Sequence, residues 1–542
     1  MILSSKRSPR GMFPLMLYCR YLVFFPSCIS IVMNPGSLFA ISATFNIGTN
    51  LLALGMFLWV IIGIIRRRSS SSLPFPPGPK GYPIIGNMFD VPMEREWEAW
   101  AEWRKKYGDI SSATVLNQTI VILNSYPLAK ELLDGRSAKY SDRPYMSMPI
   151  LCGWKDTLLI LGYGRVFRTQ RKLFHKSMGT MEIFHRFYYI EDEQSRKFLK
   201  RVLAEPEIFV QHIETAVASI VLLIAYGYTI GENDPLLAKC KQITEDFIRM
   251  TSHKFLVNKI PVLRHVPGWI PGANFQRLAK EWKQKVEELT DEPFHWVKEQ
   301  MAKGTFKPSF VSTNLEDNDD EYSIKCTAVA IYGAGFDTTV VTIKVFFKMM
   351  ALFPDVQARV QTEIDSVTGS NRLPTLADRD QGLLPYTLAT LYEVFRWHLP
   401  LPTGFPHRTV EDDTYNGYFI PKGSIVAFNT LQMCHDPELY PNPDVFDPTR
   451  FLGVSPQLDP RELIFGFGRR ACPGRFLAEA SVFLTMARTL AVFNITNAVD
   501  MYGVPLKADP AQLTGAISDT PVFKCTIRPR SEKVASLIDE IL

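Results

Sequence analysis

The eight cysteines of this 542-residue chain, at 19, 28, 152, 240, 326, 434, 472 and 525, form no CxxC pair and follow no regular spacing. That lack excludes a disulfide framework and a structural zinc site, and leaves most of the thiols as small buried apolar side chains. Charge of one sign is also scarce: Lys+Arg number 60 against 55 Asp+Glu, a formal +5, and the basic residues are dispersed. A nucleic-acid binder concentrates Lys and Arg on one element, so no nucleic-acid partner is expected. Linkers are missing too. Beyond SSSSLPFPPGPKGYPIIGN, Ser69 to Asn87, no flexible or Pro-stiffened stretch divides the chain. Length alone would suggest three or four units. Without a second linker, the remainder reads as one mainly helical body with small β-sheets, and 46% hydrophobic residues give it a large core.

The N-terminal side differs in kind. LLALGMFLWVIIGII, Leu51 to Ile65, is an unbroken apolar run, and SLFAISATFNIGTN precedes it. Together, as 37–65, they supply the roughly 20 residues that cross a bilayer. Arg66, Arg67 and Arg68 follow, which by the positive-inside rule keeps the downstream mass cytosolic. The run is long for a signal h-region and no small-residue cleavage site follows it. Residues 1–36 are apolar but broken by Pro14, Arg20 and Pro26, and form an extension of uncertain role. Residues 66–83 read as a basic, Pro-rich hinge, 84–530 as the body and 531–542 as a tail.

Within the body, periodicity predicts helices over Trp97 to Tyr107, Leu236 to Thr251 and Asn274 to Met301. Short strands are expected near 114–124 and 417–429, and an acidic surface loop at 314–323.

One cysteine has unusual neighbours. FGFGRRACPG, Phe465 to Gly474, sets Cys472 among three glycines and two arginines, with Arg475 next. Pro473 at a first helical position would put Cys472 at the N-cap of the helix that follows. There the helix dipole and the arginines favour a thiolate, able to attack a substrate or to bind a metal. A nucleophile would want a histidine base, and none stands nearby in sequence. The same stretch matches GxGxxA from Gly466 to Ala471, but no βαβ context supports a dinucleotide site.

Phe465, Gly468, Arg470, Cys472 and Gly474, spaced as FxxGxRxCxG, resemble the haem-binding loop of the cytochrome P-450 family, the haem-thiolate monooxygenases. The resemblance implies haem b with Cys472 as axial thiolate and metal ligand, and Arg470 paired with a haem propionate. Thiolate ligation favours O–O cleavage. AIYGAGFDTTVVTIKVFF, Ala330 to Phe347, is an apolar helix with small residues and Asp337, Thr338 and Thr339 at its centre. A Thr hydroxyl there can bond back to the i−4 carbonyl and bend the helix. By likeness Thr338 would steer protons toward dioxygen, fed by Asp337.

Glu393 and Arg396, three apart on the helix expected from Pro385, can pair. With Arg450 in FDPTRF they resemble the family's structural Glu-Arg-Arg cluster. Arg171 and His407 resemble further propionate contacts. Phe167 stands where the family usually has Trp, which keeps the packing and loses an indole N–H. The likeness covers roughly residues 74 to 530 and is nearest to fungal, particularly basidiomycete, members. It implies a single-pass anchor in the endoplasmic reticulum and a lipophilic small-molecule substrate. No flavin or nicotinamide motif is visible, so electrons are expected from an NADPH-dependent reductase, with cytochrome b5 as a further candidate. The reductase is expected on the basic face near Arg469 and Arg475. A haem-thiolate isomerase or dehydratase is the alternative, and the Asp337–Thr338 pair argues against it.

Overall fold

The computed structural model describes residues 73–532 apart from 232, 233, 253, 318, 319, 370 and 516, together with 55, 537 and 538. The expected extension at 1–36 and span at 37–65 lie outside these residues, Gly55 excepted, as does most of the tail.

Eleven helices of eight or more residues build the body among the described residues. They are α1 Glu96–Tyr107, α2 Arg165–Met178, α3 Tyr188–Ala204, α4 Phe209–Tyr226, α5 Pro235–Thr251 and α6 Asn274–Lys303. The rest are α7 Phe310–Asp317, α8 Glu321–Leu352, α9 Pro354–Thr368, α10 Pro385–Trp397 and α11 Arg475–Val492. α8 runs through the core, packed on α4, α2 and α11. Its start is fixed by the Asp320 side chain, which accepts the Ser323 N–H at 3.0 Å. The stretch Pro206–Tyr226 and α8 are each apolar and long enough to cross a membrane, but 72% and 67% of their apolar windows are buried inside the fold. They are core helices. α10 opens with Pro385, and Glu363 of α9 accepts the N–H groups of Tyr386 and Thr387 at 2.7 and 2.8 Å. A neighbouring helix thus supplies the cap that α10 lacks.

Three small sheets complete the fold. β1 Ile110–Val115 and β2 Gln118–Leu123 are antiparallel, β2 pairs in parallel with β6 Ile425–Phe428, and β6 pairs with β3 His407–Arg408. β4 Asp413–Tyr415 pairs with β5 Tyr418–Ile420, and β7 Phe493–Asn497 with β8 Cys525–Pro529.

Four expectations need correction. The strand expected near 114–124 is a hairpin, because Leu116 and Asn117 take φ of +45° and +75° and turn the chain back. The stretch 417–429 enters two different sheets, divided at Gly423 with φ +81°. The acidic segment 314–323 is not simply a loop: Asn314–Asp317 end α7 and Glu321–Ser323 begin α8. The body starts at Leu73 rather than at 84. Prolines keep their carbonyls, and those of Pro74 and Pro77 accept the Phe419 and Ser112 N–H groups at 2.7 and 2.8 Å. A Cβ on Gly78 would fall 1.8 Å from the Ser112 carbonyl oxygen, so the Pro-rich stretch lies against the sheets.

Candidate active site

The cysteine loop closes on itself. The Cys472 N–H donates to the Phe465 carbonyl at 2.7 Å, and the Ala471 N–H to Gly468 at 3.1 Å. Gly468 has φ +55°, and a Cβ there would lie 2.2 Å from the Leu133 carbonyl oxygen, so only glycine fits. Its N–H donates to the Asp134 carboxylate. Gly474, by contrast, has an ordinary φ of −90° and only Phe174 near, at 3.9 Å. Helix α11 begins at Arg475, with Gly474 as N-cap, so Cys472 lies ahead of the cap and Pro473 is not the first helical residue. Burial pushes the free thiol's pKa up, although the Gly474 N–H, Arg171 and Arg475 pull it down. The expected thiolate is therefore not favoured by the protein alone, and a bound cation would have to supply the difference.

The Cys472 side chain keeps exposed surface, although the surrounding protein raises its thiol pKa. Helix α8 has an accessible stretch: Ala334 is exposed and Gly333, Gly335, Asp337 and Thr338 are half-buried within a helix otherwise largely sealed. The Thr338 hydroxyl donates to the Ala334 carbonyl at 2.8 Å, and Thr342 repeats the bond to Thr338 at 2.8 Å. These back-bonds are the ones expected of mid-helix threonines, and α8 continues through them unbroken. One Asp337 oxygen is buried without a partner. Burial pushes the Asp337 pKa up to about 7, helped by the charges of Glu214 and Asp519 and opposed by the Thr244 hydroxyl. A carboxyl poised there can take and give a proton near neutrality.

Two buried arginines, Arg143 and Arg470, and the half-buried Arg171 converge near the loop. Arg470 donates to the carbonyls of Ser141 and Leu161 at 2.8 Å each and of Leu158 at 3.3 Å. Arg171, on α2, donates to the Ala471 carbonyl at 2.7 Å. Arg143 donates to Phe405 and Pro406 carbonyls at 2.7 Å each and to Leu159 at 3.1 Å. None of the three forms an ion pair among the described residues. Asp142, whose charge reaches Arg143 and Arg470, is engaged by the Tyr163 N–H at 2.9 Å and by Arg408 at 3.7 Å. Burial accordingly pushes all three guanidinium pKa values down, that of Arg470 to about 10. Buried cations without carboxylates are costly unless an anion joins them. His407 is 2% exposed. Its Nδ1 donates to the Tyr140 carbonyl at 2.8 Å, and burial with Arg143 pushes its pKa to about 3. It is the neutral member of the group.

The donor set fits haem: a sulfur with exposed surface, a glycine-bounded loop, and guanidiniums without ion-pair partners, suited to two carboxylates. Arg143 was not legible in the sequence, where it is a lone arginine before a proline. Only its burial without an ion-pair partner marks it. Phe167 lies 3.8 Å beneath the Arg470 guanidinium, a cation–π contact that holds the arginine in place without an indole N–H.

Glu393, Arg396 and Arg450 come together as a sealed cluster. Arg396 makes a two-pronged bond to Glu393 at 2.7 and 2.9 Å, and Arg450 Nε donates to Glu393 Oε1 at 3.2 Å. The Asp447 N–H adds 2.8 Å to the same oxygen, and Arg396 donates to the Cys434 carbonyl at 2.8 Å. Phe395, beside Arg396, packs edge-on against Phe465 at 5.8 Å and so links the cluster to the cysteine loop.

The family model described as Cytochrome P450 matches residues 76–503. Cytochrome P450 monooxygenase 208 of Postia placenta is 43% identical over 88% of this chain and 94% of its own length. Cytochrome P450 monooxygenase claR of Ampulloclitocybe clavipes is 42% identical, over 90% and 92% respectively. Cytochrome P450 monooxygenase ppsD of Aspergillus oryzae is 40% identical, over 86% and 91%. With Cys472, its glycine loop and the Glu393 cluster assembled as described, the chain belongs to the cytochrome P450 family and is an oxidoreductase of the fungal monooxygenase type.

Proposed function

We propose that this protein inserts one oxygen atom of O2 into a lipophilic small molecule, the other leaving as water, with two electrons drawn from NADPH through a separate reductase. Cys472 would hold the haem iron, and Arg143, Arg171 and Arg470 the propionates, with His407 beside them. When bound, haem b supplies the activation of dioxygen. The protein's own part is to position and to protonate. Thr338, its hydroxyl proton on the Ala334 carbonyl, would offer oxygen lone pairs on the accessible stretch of α8. Asp337 carries protons inward from the α4–α5 side, where Glu214 and Thr244 lie near it. Leu401 to Phe405 would provide the apolar wall; Phe336, 2% exposed and stacked on Tyr332, belongs to the core.

The observation that carries the proposal is the group of three arginines without ion-pair partners beside the cysteine loop. The relatives named above are all called monooxygenases, so the isomerase alternative gains nothing from them. We place the enzyme in fungal secondary metabolism or xenobiotic oxidation, on terpenoid, polyketide or aromatic substrates. We also propose a single-pass anchor at 37–65 in the endoplasmic reticulum with a cytosolic body, on the strength of the apolar run and the three arginines after it. Cytochrome b5 is the second electron donor in this reading. The test is NADPH and O2 consumption by membranes carrying the protein and a reductase, screened over a small apolar library. Substrate-dependent consumption with a product gaining one oxygen supports the proposal. Product isomerised or dehydrated without O2 uptake overturns it.

A further inference from the structure

Lys348 of α8 is fully buried, at 0% exposure, and no carboxylate pairs with it among the described residues. Its ammonium donates to the Asp509 carbonyl at 3.0 Å, the Ala511 carbonyl at 3.4 Å and the Thr520 hydroxyl. All three acceptors belong to the C-terminal segment between β7 and β8, two from the arm 508–513 and one from the arm 517–521. Burial pushes the Lys348 pKa down to about 8, against the pull of Asp509 and Asp519. One turn earlier on the same face, Lys344 binds both Asp519 oxygens at 2.7 and 2.6 Å. The arms are also stitched to the chain after α10. The Ser518 N–H donates to the Pro400 carbonyl at 2.8 Å, and Gln512 to the Leu399 carbonyl at 2.6 Å. His398 beside them is 2% exposed, and burial pushes its pKa to about 3, so it adds no second cation.

A buried, unpaired lysine is expensive, and a leucine would fill the same space more cheaply. What leucine lacks is three directed donors that hold both arms in one register. The site lies close by. Lys344 is six residues past Thr338, about 9 Å along the helix, and the charge of Asp519 reaches Asp337. The stretch Leu399–Pro400 runs on to Phe405, whose carbonyl Arg143 holds.

We infer that Lys348 is a positioning residue for specificity: with Lys344 it pins the two C-terminal arms against α8 and the 399–405 stretch, and so sets the width of the substrate space beyond Thr338. The inference rests on the monooxygenase proposal for where the substrate sits.

The test uses full-length protein with its haem, in wild type, Lys348→Met, Thr520→Val and Thr520→Ser. Each is first checked for the reduced carbon-monoxide band, then titrated optically with imidazole and with 4-phenylimidazole. Hydrogen exchange is followed in the amides of 509–520. In Lys348→Met and Thr520→Val, imidazole affinity should stay unchanged while the ratio of the two Kd values shifts by roughly tenfold, the effect of one lost anchor. Exchange in the arms should quicken. Thr520→Ser, which keeps the hydroxyl, should restore both. An unchanged ratio and unchanged exchange in both variants overturn the inference. If Lys348→Met does not hold haem, Thr520→Val and its serine counterpart decide. A wild type without the carbon-monoxide band defeats the monooxygenase proposal instead, and exchange alone then decides the anchoring.

Discussion

Two groups of arginines associated with the cysteine loop differ in one respect. Arg396 and Arg450 share Glu393, and every charge in that cluster has a partner within 3.2 Å. Arg143 and Arg470 are buried to a similar degree, Arg171 is half-buried, and all three hold only carbonyls. The sealed group is complete as protein, and its work is to fix the 434–458 chain that leads into the cysteine loop. The open group is incomplete as protein, and its excess positive charge is a binding statement. The difference separates structure from function without any recourse to motif.

Breaking the sealed group should have the largest effect. Glu393→Gln leaves two buried guanidiniums facing a neutral amide, and loss of one partner from such a cluster costs about 3–5 kcal/mol. Chemical denaturation should show that loss, with haem content falling in parallel. The open group should respond in the opposite sense when haem is absent. Arg143→Leu removes an uncompensated cation, so the haem-free protein should be equally or more stable, while haem dissociates at least about tenfold faster. Equal destabilisation with and without haem would contradict the distinction.

Asp337 sharpens the comparison on the other side of the site. Its folded pKa of about 7 lies above the ordinary 3.8. Protonation therefore favours the fold: the contribution is complete below about pH 4 and is lost as pH rises through 7. Asp337→Asn should remove that pH dependence and gain stability at pH 8 relative to pH 5, on the order of a few kcal/mol. Product formation per NADPH should drop in the same variant. The smallest effect is expected at Phe167. Phe167→Leu should loosen Arg470 by about 0.5–2 kcal/mol, the range of one cation–π contact, seen as modestly faster haem loss.

Much of this was legible in the sequence, for reasons that differ by element. Helices α1, α5 and α6 announced themselves by apolar spacing, within two residues of their ends. The cysteine loop was legible because its glycines and arginines have few other uses at that spacing. The hairpin at Leu116–Asn117 was missed because its turn uses a leucine at positive φ. The docking of Pro74 to Gly78 was missed because a Pro-rich composition does not say whether its carbonyls find partners. Arg143 could not be found at all, since burial without an ion-pair partner is a property of packing. The free thiol was misjudged for a related reason: burial around Cys472 outweighs the cations that the sequence places beside it.

The central claim is that Cys472 gives iron its sulfur ligand. A reduced carbon-monoxide difference spectrum of purified wild type and Cys472→Ala tests it most directly. The account predicts the thiolate-type band in wild type and its complete loss in the variant. Porphyrin-free wild type, or a band that survives removal of the sulfur, contradicts it.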